Sequence, residues 1–294
     1  MSNNSKFWAI IVLNFVIVGF EIAFGVVSNS IALITDAFHN LGDIVAVIIS
    51  FIATLFAKKS PTIRNSYGYI RSEMMATFVN SLLLILTMLF LLYETVVALF
   101  SQSEAVDGSA MILVATIALF ANGISAYLLL TLQKGKKDLN IRSAYLHFLA
   151  DSLLSFSVIV GGLVIYFFGI FIVDKILSLI FSIYIIYSSL PLLRRSFFSL
   201  MDLNHSIDAS KIEKKVLEFD EVESIHDVHV LEPSQNHSFF YAHIVVKDEL
   251  SLQNIDDLID KIEKILFEFG INHSVIQPES AKHSKLPLIK ETYS

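Results

Sequence analysis

Residues 31–57 read IALITDAFHNLGDIVAVIISFIATLFA, and residues 144–168 read AYLHFLADSLLSFSVIVGGLVIYFF. Each run is apolar and long enough to cross a hydrocarbon core, which takes about 20 helical residues. Each also carries a His-x-x-x-Asp pair: His39 with Asp43, and His147 with Asp151. Groups at i and i+4 share one face of a helix. An ionisable group at mid-membrane costs at least ~2.5–3.5 kcal/mol. One such pair would serve as interhelical hydrogen bonding; two at identical spacing point to a metal centre. Two ionised Asp and two neutral His leave two negative charges, which one divalent cation cancels. A four-coordinate shell of two nitrogens and two oxygens suits zinc, whereas magnesium and calcium take oxygen-only shells with more ligands. Cadmium accepts the same donors as zinc.

Working outward, residues 7–27, 74–100, 109–132 and 172–193 are four more apolar runs of spanning length, so six transmembrane helices are expected. Pro191 with Arg194 and Arg195 is expected to end the sixth. The run after the short polar N-terminus lacks a small-residue cleavage site and reads as a retained first span. The 294-residue chain is 54% hydrophobic, which favours a membrane protein from composition alone. It has no Cys, so any metal must be held by nitrogen and oxygen.

Charge divides the chain. Residues 1–201 hold twelve Lys/Arg against ten Asp/Glu, and residues 202–294 hold nine against eighteen. The basic residues of the first part cluster between spans two and three (Lys58, Lys59, Arg64, Arg71), between four and five (Lys134, Lys136, Lys137, Arg142), and after six. The positive-inside rule then puts both termini in the cytoplasm. After Asp202 the pattern changes to short amphipathic elements. Residues 209–219 and 252–269 have helical periodicity, with Gly270 as a stop, and residues 222–231, 239–246 and 271–277 are rich in strand formers. The expected order is α-β-β-α-β, a compact α+β domain with its helices on one sheet face. Three parts follow: a membrane body over 1–201, the α+β domain over 202–279, and a tail over 280–294 expected to be disordered. The acidic balance of the second part speaks against a nucleic-acid partner.

Other polar groups lie in the spans. Asp36 shares the face of His39 and Asp43, and Asn40 sits beside them. Asp36 reads as a ligand, a hydrogen-bonding support for His39, or a lining group of a cation path, with support the preferred role because four ligands are already present. Asn14, Asn80 and Asn122 read as packing groups. Glu21 lies seven residues from Asn14 on one face of the first span.

The residues just quoted, with SNSIALITDAFHNLGD (28–43), YGYIRSE (67–73), LNIRSAYLHFLAD (139–151) and SIHDVH (224–229), resemble the cation diffusion facilitator family of metal transporters along nearly the whole chain. The resemblance implies a six-span transporter with a cytoplasmic ferredoxin-like domain, acting as a homodimer in a bacterial-type plasma (inner) membrane. It implies metal/proton antiport, with zinc as substrate and regulatory ligand. Members with His-x-x-x-Asp on both spans are similar to the zinc and cadmium exporters. The resemblance assigns His39, Asp43, His147 and Asp151 to the transport site, and His226, His243, His273 and Glu279 to a cytoplasmic metal site. His229 and His237 are further cytoplasmic candidates, and Arg71 and Asp202 match an interlocking charge pair at the dimer's membrane–cytoplasm junction. The loop between spans two and three has no His, so the loop metal site of some members is not expected. Leu231 stands where many members have Trp, and Pro278 adjoins Glu279. Two other functions compete. An intramembrane metalloenzyme lacks its usual His-Glu-x-x-His motif here, and a membrane-anchored metal sensor or store would show no flux. An exporter whose main metal is cadmium, cobalt, iron or manganese is the nearer alternative.

Overall fold

The computed structural model describes residues 3–101, 105–132, 139–204, 206–234, 236–247, 249–280, 282 and 287–288. Six long helices come first: α1 (Asn3–Ser28), α2 (Ile31–Ala57), α3 (Ser72–Phe100), α4 (Gly108–Leu132), α5 (Leu139–Phe168) and α6 (Ile172–Leu200). Among the described residues, α2 to α6 are each long and apolar enough to cross a membrane, and α1, a helix of 26 residues, completes the six. Large apolar side chains such as Phe51, Phe90, Phe120, Phe156 and Tyr187 face outward, as a lipid surface requires. Two compact units emerge, Met1–Ile49 with Val79–Pro191 and Ser50–Phe78 with Leu192–Ser294.

In the first unit, a core of Ala32, Leu33, Met88, Leu91, Met111, Val114, Val158, Phe181 and Ile185 joins α2 to α6. Helices α4 and α5 approach at small residues. A Cβ at Gly108 would stand 2.7 Å from the Gly162 carbonyl, so no larger side chain fits without moving backbone. Between α1 and α2, Asn29 adopts the left-handed conformation (φ 59°) and Ser30 N–H closes back onto the Gly25 carbonyl at 3.0 Å. This helix-ending motif needs only the two residues that separate α1 from α2.

Asp174 fixes the start of α2. Its carboxylate, buried on α6, accepts from the Ser30 hydroxyl at 2.5 Å and from the Ile31 and Ala32 N–H groups at 2.8 and 3.3 Å. A helix start has unpaired N–H groups and a positive dipole end, and a carboxylate answers both. Further along, Ser178 of α6 bonds to Thr35 of α2 at 2.8 Å and to Thr95 of α3 at 2.9 Å. Lys175 donates to the Ala98 carbonyl near the end of α3.

In the second unit, α6 runs on through Pro191 to Leu200. The expected stop at Pro191 is therefore corrected for the helix. Arginines end an apolar run because they belong in water, but a helix continues in water as well as in lipid. Ser199 uses the extension to bond the Glu232 carbonyl at 2.5 Å. Helix α7 (Ala209–Val216), strands β1 (Val222–Ser234) and β2 (His237–Val246), helix α8 (Leu252–Glu268) and strand β3 (His273–Glu279) follow. The expected α-β-β-α-β order is found. β1 and β2 pair antiparallel, β2 and β3 parallel, in the order β1-β2-β3. Leu258, Ile262 and Leu266, one per turn of α8, join Ile212 and Val216 of α7 and Ile225, Phe240 and Ile244 of the sheet in one core. Gly270 (φ 84°) ends α8, where the sequence puts the stop. Pro278 sits on the edge strand β3, the place in a sheet that tolerates a missing N–H. The Leu288 carbonyl accepts from Val228 N–H at 2.9 Å, and its side chain packs on the core. The rest of the expected tail beyond residue 288, and the basic Lys134, Lys136 and Lys137, lie outside the described residues.

The cap on α2 is testable. Asp174→Ala strips three donors of their acceptor and should cost about 2 kcal/mol, lowering the thermal unfolding midpoint in detergent, with Asp174→Asn intermediate. An unchanged midpoint in Asp174→Ala would rule the cap out as a support of α2.

Candidate metal centre

His39 and Asp43 lie one turn apart on α2, and His147 and Asp151 one turn apart on α5, in helices whose regular geometry stacks each pair on one face. The two faces meet. His39 Nε2 lies 3.8 Å from Asp43 Oδ2 and 3.7 Å from Asp151 Oδ1. His147 Nε2 lies 3.2 Å from Asp43 Oδ2 and 3.5 Å from Asp151 Oδ2. Each imidazole nitrogen thus stands between the carboxylate of its own helix and that of the other. Donors about 2.1 Å from a tetrahedral zinc stand roughly 3.4 Å from one another; the two His147 separations lie close to that edge, and Asp151 offers a different oxygen to each imidazole. Asp43 Oδ2 is buried without a well-formed hydrogen bond while facing both imidazoles, the condition of an atom that needs a cation. Exposure is graded across the four side chains: 5% for Asp151, 12% for His39, 32% for Asp43 and 43% for His147.

The neighbours differ from expectation. His39 Nδ1 has no hydrogen-bond partner among the described residues, so Asp36 does not hold His39 in place through that atom. Asp36 is instead buried beside the tetrad at 4% exposure. Asn40 turns to α1, where its Nδ2 donates to Glu21 Oε2 at 2.9 Å. Asn80 donates to the Ala46 carbonyl at 3.2 Å, an interhelical packing bond.

A second cluster lies on the sheet of the other unit. His226 and His243 are direct partners across the β1–β2 hairpin, and β3 runs beside β2 so that Glu279 aligns with Val245. Glu279 reaches both imidazoles: Oε2 is 3.2 Å from His226 Nε2, and Oε1 accepts from or faces His243 Nδ1 at 2.8 Å. These three groups could hold a metal ion. Asp227, which the sequence reading passed over, stands beside them, with Oδ2 3.8 Å from His243 Nε2 and Oδ1 3.1 Å from His229 Nε2. It occupies a register shift in β1 with φ 52°, so the bulge turns a side chain that strict alternation would send to the other face. His273 is not brought to this cluster. It opens β3, pairs with Phe239 and packs edge-on to that ring at 5.2 Å, six residues and roughly 20 Å along the strand from Glu279. His237 closes the hairpin against Ser234 Oγ at 2.7 Å.

Arg71 and Asp202 form a forked pair, with N–O distances of 2.7 and 3.3 Å, and both are largely exposed. Nearby in the same unit, Tyr67 stacks on Phe239 and shares a 2.6 Å hydroxyl contact with Tyr241. Desolvation, then the Tyr67 bond, push the Tyr241 phenol up to about 12.

Comparison with known proteins finds two family models along the chain. Residues 7–201 match the model of the cation efflux transmembrane domain, and residues 205–281 match that of the cation efflux protein cytoplasmic domain. The chain is 33% identical to a cadmium, cobalt and zinc/H(+)-K(+) antiporter of Bacillus velezensis over 261 residues, which cover 88% of this chain and 83% of that protein. It is 32% identical to the zinc transporter ZitB of Escherichia coli over 262 residues, covering 88% and 82%. It is 30% identical to the metal cation efflux system protein CzcD of Cupriavidus metallidurans over 263 residues, covering 89% and 82%.

The sheet cluster makes a prediction that separates its members. In an Asp43→Ala, Asp151→Ala background, calorimetric titration with zinc should show Glu279→Gln weakening the remaining site at least about 10-fold, while His273→Ala leaves it unchanged. The reverse pattern would move the site to the other end of β3.

Proposed function

From the premise that the chain belongs to the cation efflux family, we propose that it exports divalent metal from the cytoplasm as a Zn2+/H+ antiporter, with cadmium as a second substrate. One observation carries the reading. Two helices each supply a His and an Asp, and each imidazole nitrogen lies within 3.2–3.8 Å of both carboxylates. Zinc is the cargo of this centre, and His39, Asp43, His147 and Asp151 are its ligands.

The mechanism follows from what these groups do. Imidazole titrates near pH 6.5 when unperturbed, and only its neutral form binds metal, so zinc and protons compete for His39 and His147. With both termini cytoplasmic, α2 descends toward the cytoplasm and α5 rises from it. Asp43 and His147 are then the cytoplasmic pair of the tetrad, and they are also the more exposed pair. That gradient supports a centre open to the cytoplasm and closed beyond it, which is the loading state of an exporter. Protons arriving from the far side after a rearrangement displace the metal there, and the inward proton gradient drives the cycle.

The chain works as a homodimer in a bacterial-type inner membrane, with Arg71 and Asp202 as its interlocking charge pair. Regulatory zinc sits at His226, His243 and Glu279, with Asp227 beside it. That cluster is also what a metal sensor without transport would use, and flux separates the two functions.

In liposomes loaded with a zinc dye and a pH dye, wild type should move zinc one way and protons the other. Asp43→Ala and Asp151→Ala should each cut zinc flux by about 100-fold or more, since loss of a ligand exceeds the ~10–100-fold cost of losing a ligand's support. Undiminished flux in both variants would sink the site, and zinc flux without proton movement would remove the antiport.

A further inference from the structure

Glu21 is unexplained by the tetrad. It lies in the middle of α1, fully buried at 0% exposure. One carboxyl oxygen accepts the Asn40 amide at 2.9 Å, and the other, also buried, has no hydrogen-bond partner among the described residues. Among the described residues, the carboxyl groups of Asp36 on α2 and Asp151 on α5 act on it electrostatically. Helix α4, which packs on α1 through Ile17 against Ala118 and Ala121, places no ionisable group there.

Charge bookkeeping sharpens the point. With the tetrad empty, Glu21, Asp36, Asp43 and Asp151 bring four carboxylates into one region of α1, α2 and α5, and the two imidazoles can answer at most two of them. A buried carboxylate with a bare oxygen is tolerated only when a positive charge answers it. No Lys or Arg occurs on α1 beyond Lys6 or on α2, and the His39 imidazole stands against Asp43 and Asp151, so no side chain of these two helices is left to answer Glu21. The smallest cation that can is a proton on Glu21 itself, and the unpartnered oxygen is the atom free to carry it.

We propose that Glu21 is a counter-proton carrier of the export cycle, a second cation station beside the metal tetrad that shares no ligand with it. This rests on the antiport reading above. Metal-free, Glu21 is a neutral acid held by Asn40. A dication entering the tetrad becomes the positive charge that answers Glu21 through space, the O–H bond breaks, and the proton leaves to water on the side the centre faces. A proton returning to Glu21 removes a negative charge from the surroundings of the metal and loosens it. The device adds one proton per metal to whatever the histidines exchange. Asn40 orients the carboxyl without binding metal.

The test is a proton count. Full-length Glu21→Gln, an isostere that keeps the Asn40 bond, should still bind zinc, but the protons released per zinc bound should fall by about one. The slope of log Kd against pH should flatten by about one unit with it, and Glu21→Asp should restore both. Infrared difference spectra of wild type should lose a protonated-carboxyl band on zinc addition. An unchanged proton count in Glu21→Gln overturns the proposal while leaving export intact. If the Gln variant does not fold, the wild-type spectrum decides, and no loss of the band overturns the proposal. Wild type that moves no zinc overturns the export reading, and this one with it.

Discussion

A carboxylate inside an apolar helix bundle must be answered by a positive charge or by donors, and the membrane body is arranged around that demand. Asp174 is answered by the start of α2, where Ser30, Ile31 and Ala32 supply three donors. Lys175, its neighbour in sequence, takes the opposite pole and bonds a carbonyl near the end of α3. The helix ends thus serve as the counter-charges that the side-chain composition lacks. Asp43 and Asp151 are answered differently, by imidazoles whose own charge is conditional. That difference separates a structural carboxylate from a working one. A capped helix start cannot be removed without melting the helix, whereas an imidazole can gain or lose a proton with nothing else moving.

The C-terminal domain reaches a cation-ready geometry by another route. A three-stranded sheet offers only alternating faces, so ligands from three strands meet when register and strand order agree. His226 and His243 meet as a cross-strand pair, and the parallel pairing of β3 brings Glu279 alongside. The helix core under the sheet fixes that register, because a slip of one residue would turn Ile225, Phe240 and Ile244 out of the core. The metal candidates are therefore held by the same apolar contacts that hold the fold. The bulge at Asp227 is the one irregularity, and it brings a fourth polar group to the cluster.

What the amino-acid sequence reveals follows from which interactions are local. The spans were legible because bilayer thickness demands runs of about 20 apolar residues whatever the neighbours are. The tetrad was legible because helix geometry converts a spacing of four into a shared face, and only the meeting of the two faces needed the structure. Helix ends were less so: apolar pattern marks where lipid stops, and α6 continues past Pro191 because Ser199 has a partner on β1. Asp227 and His273 were illegible for a common reason. Whether a side chain on a strand reaches a site depends on register and bulges set by residues far away in the chain, so a motif match placed His273 with Glu279 although the strand holds them apart. Glu21 showed only as one polar residue in a span, since its link to Asn40 joins different helices.

The division of the tetrad between two helices has a consequence for affinity. The separations within a helix, 3.8 Å for His39–Asp43 and 3.5 Å for His147–Asp151, are set by the helix repeat and persist as long as each helix does. The separations across helices, 3.2 Å for His147–Asp43 and 3.7 Å for His39–Asp151, are set only by how α2 lies on α5. A small slide or tilt of one helix on the other leaves each with two donors of its own and dismantles the four-donor shell. Two donors do not complete the shell that zinc requires. On the proposed assignment of the tetrad as the metal centre, affinity is a readout of interhelical geometry, and metal would favour the packing that completes the shell by its differential affinity for it. A site built from four residues of one helix could not be dismantled by moving helices; one built from two pairs can.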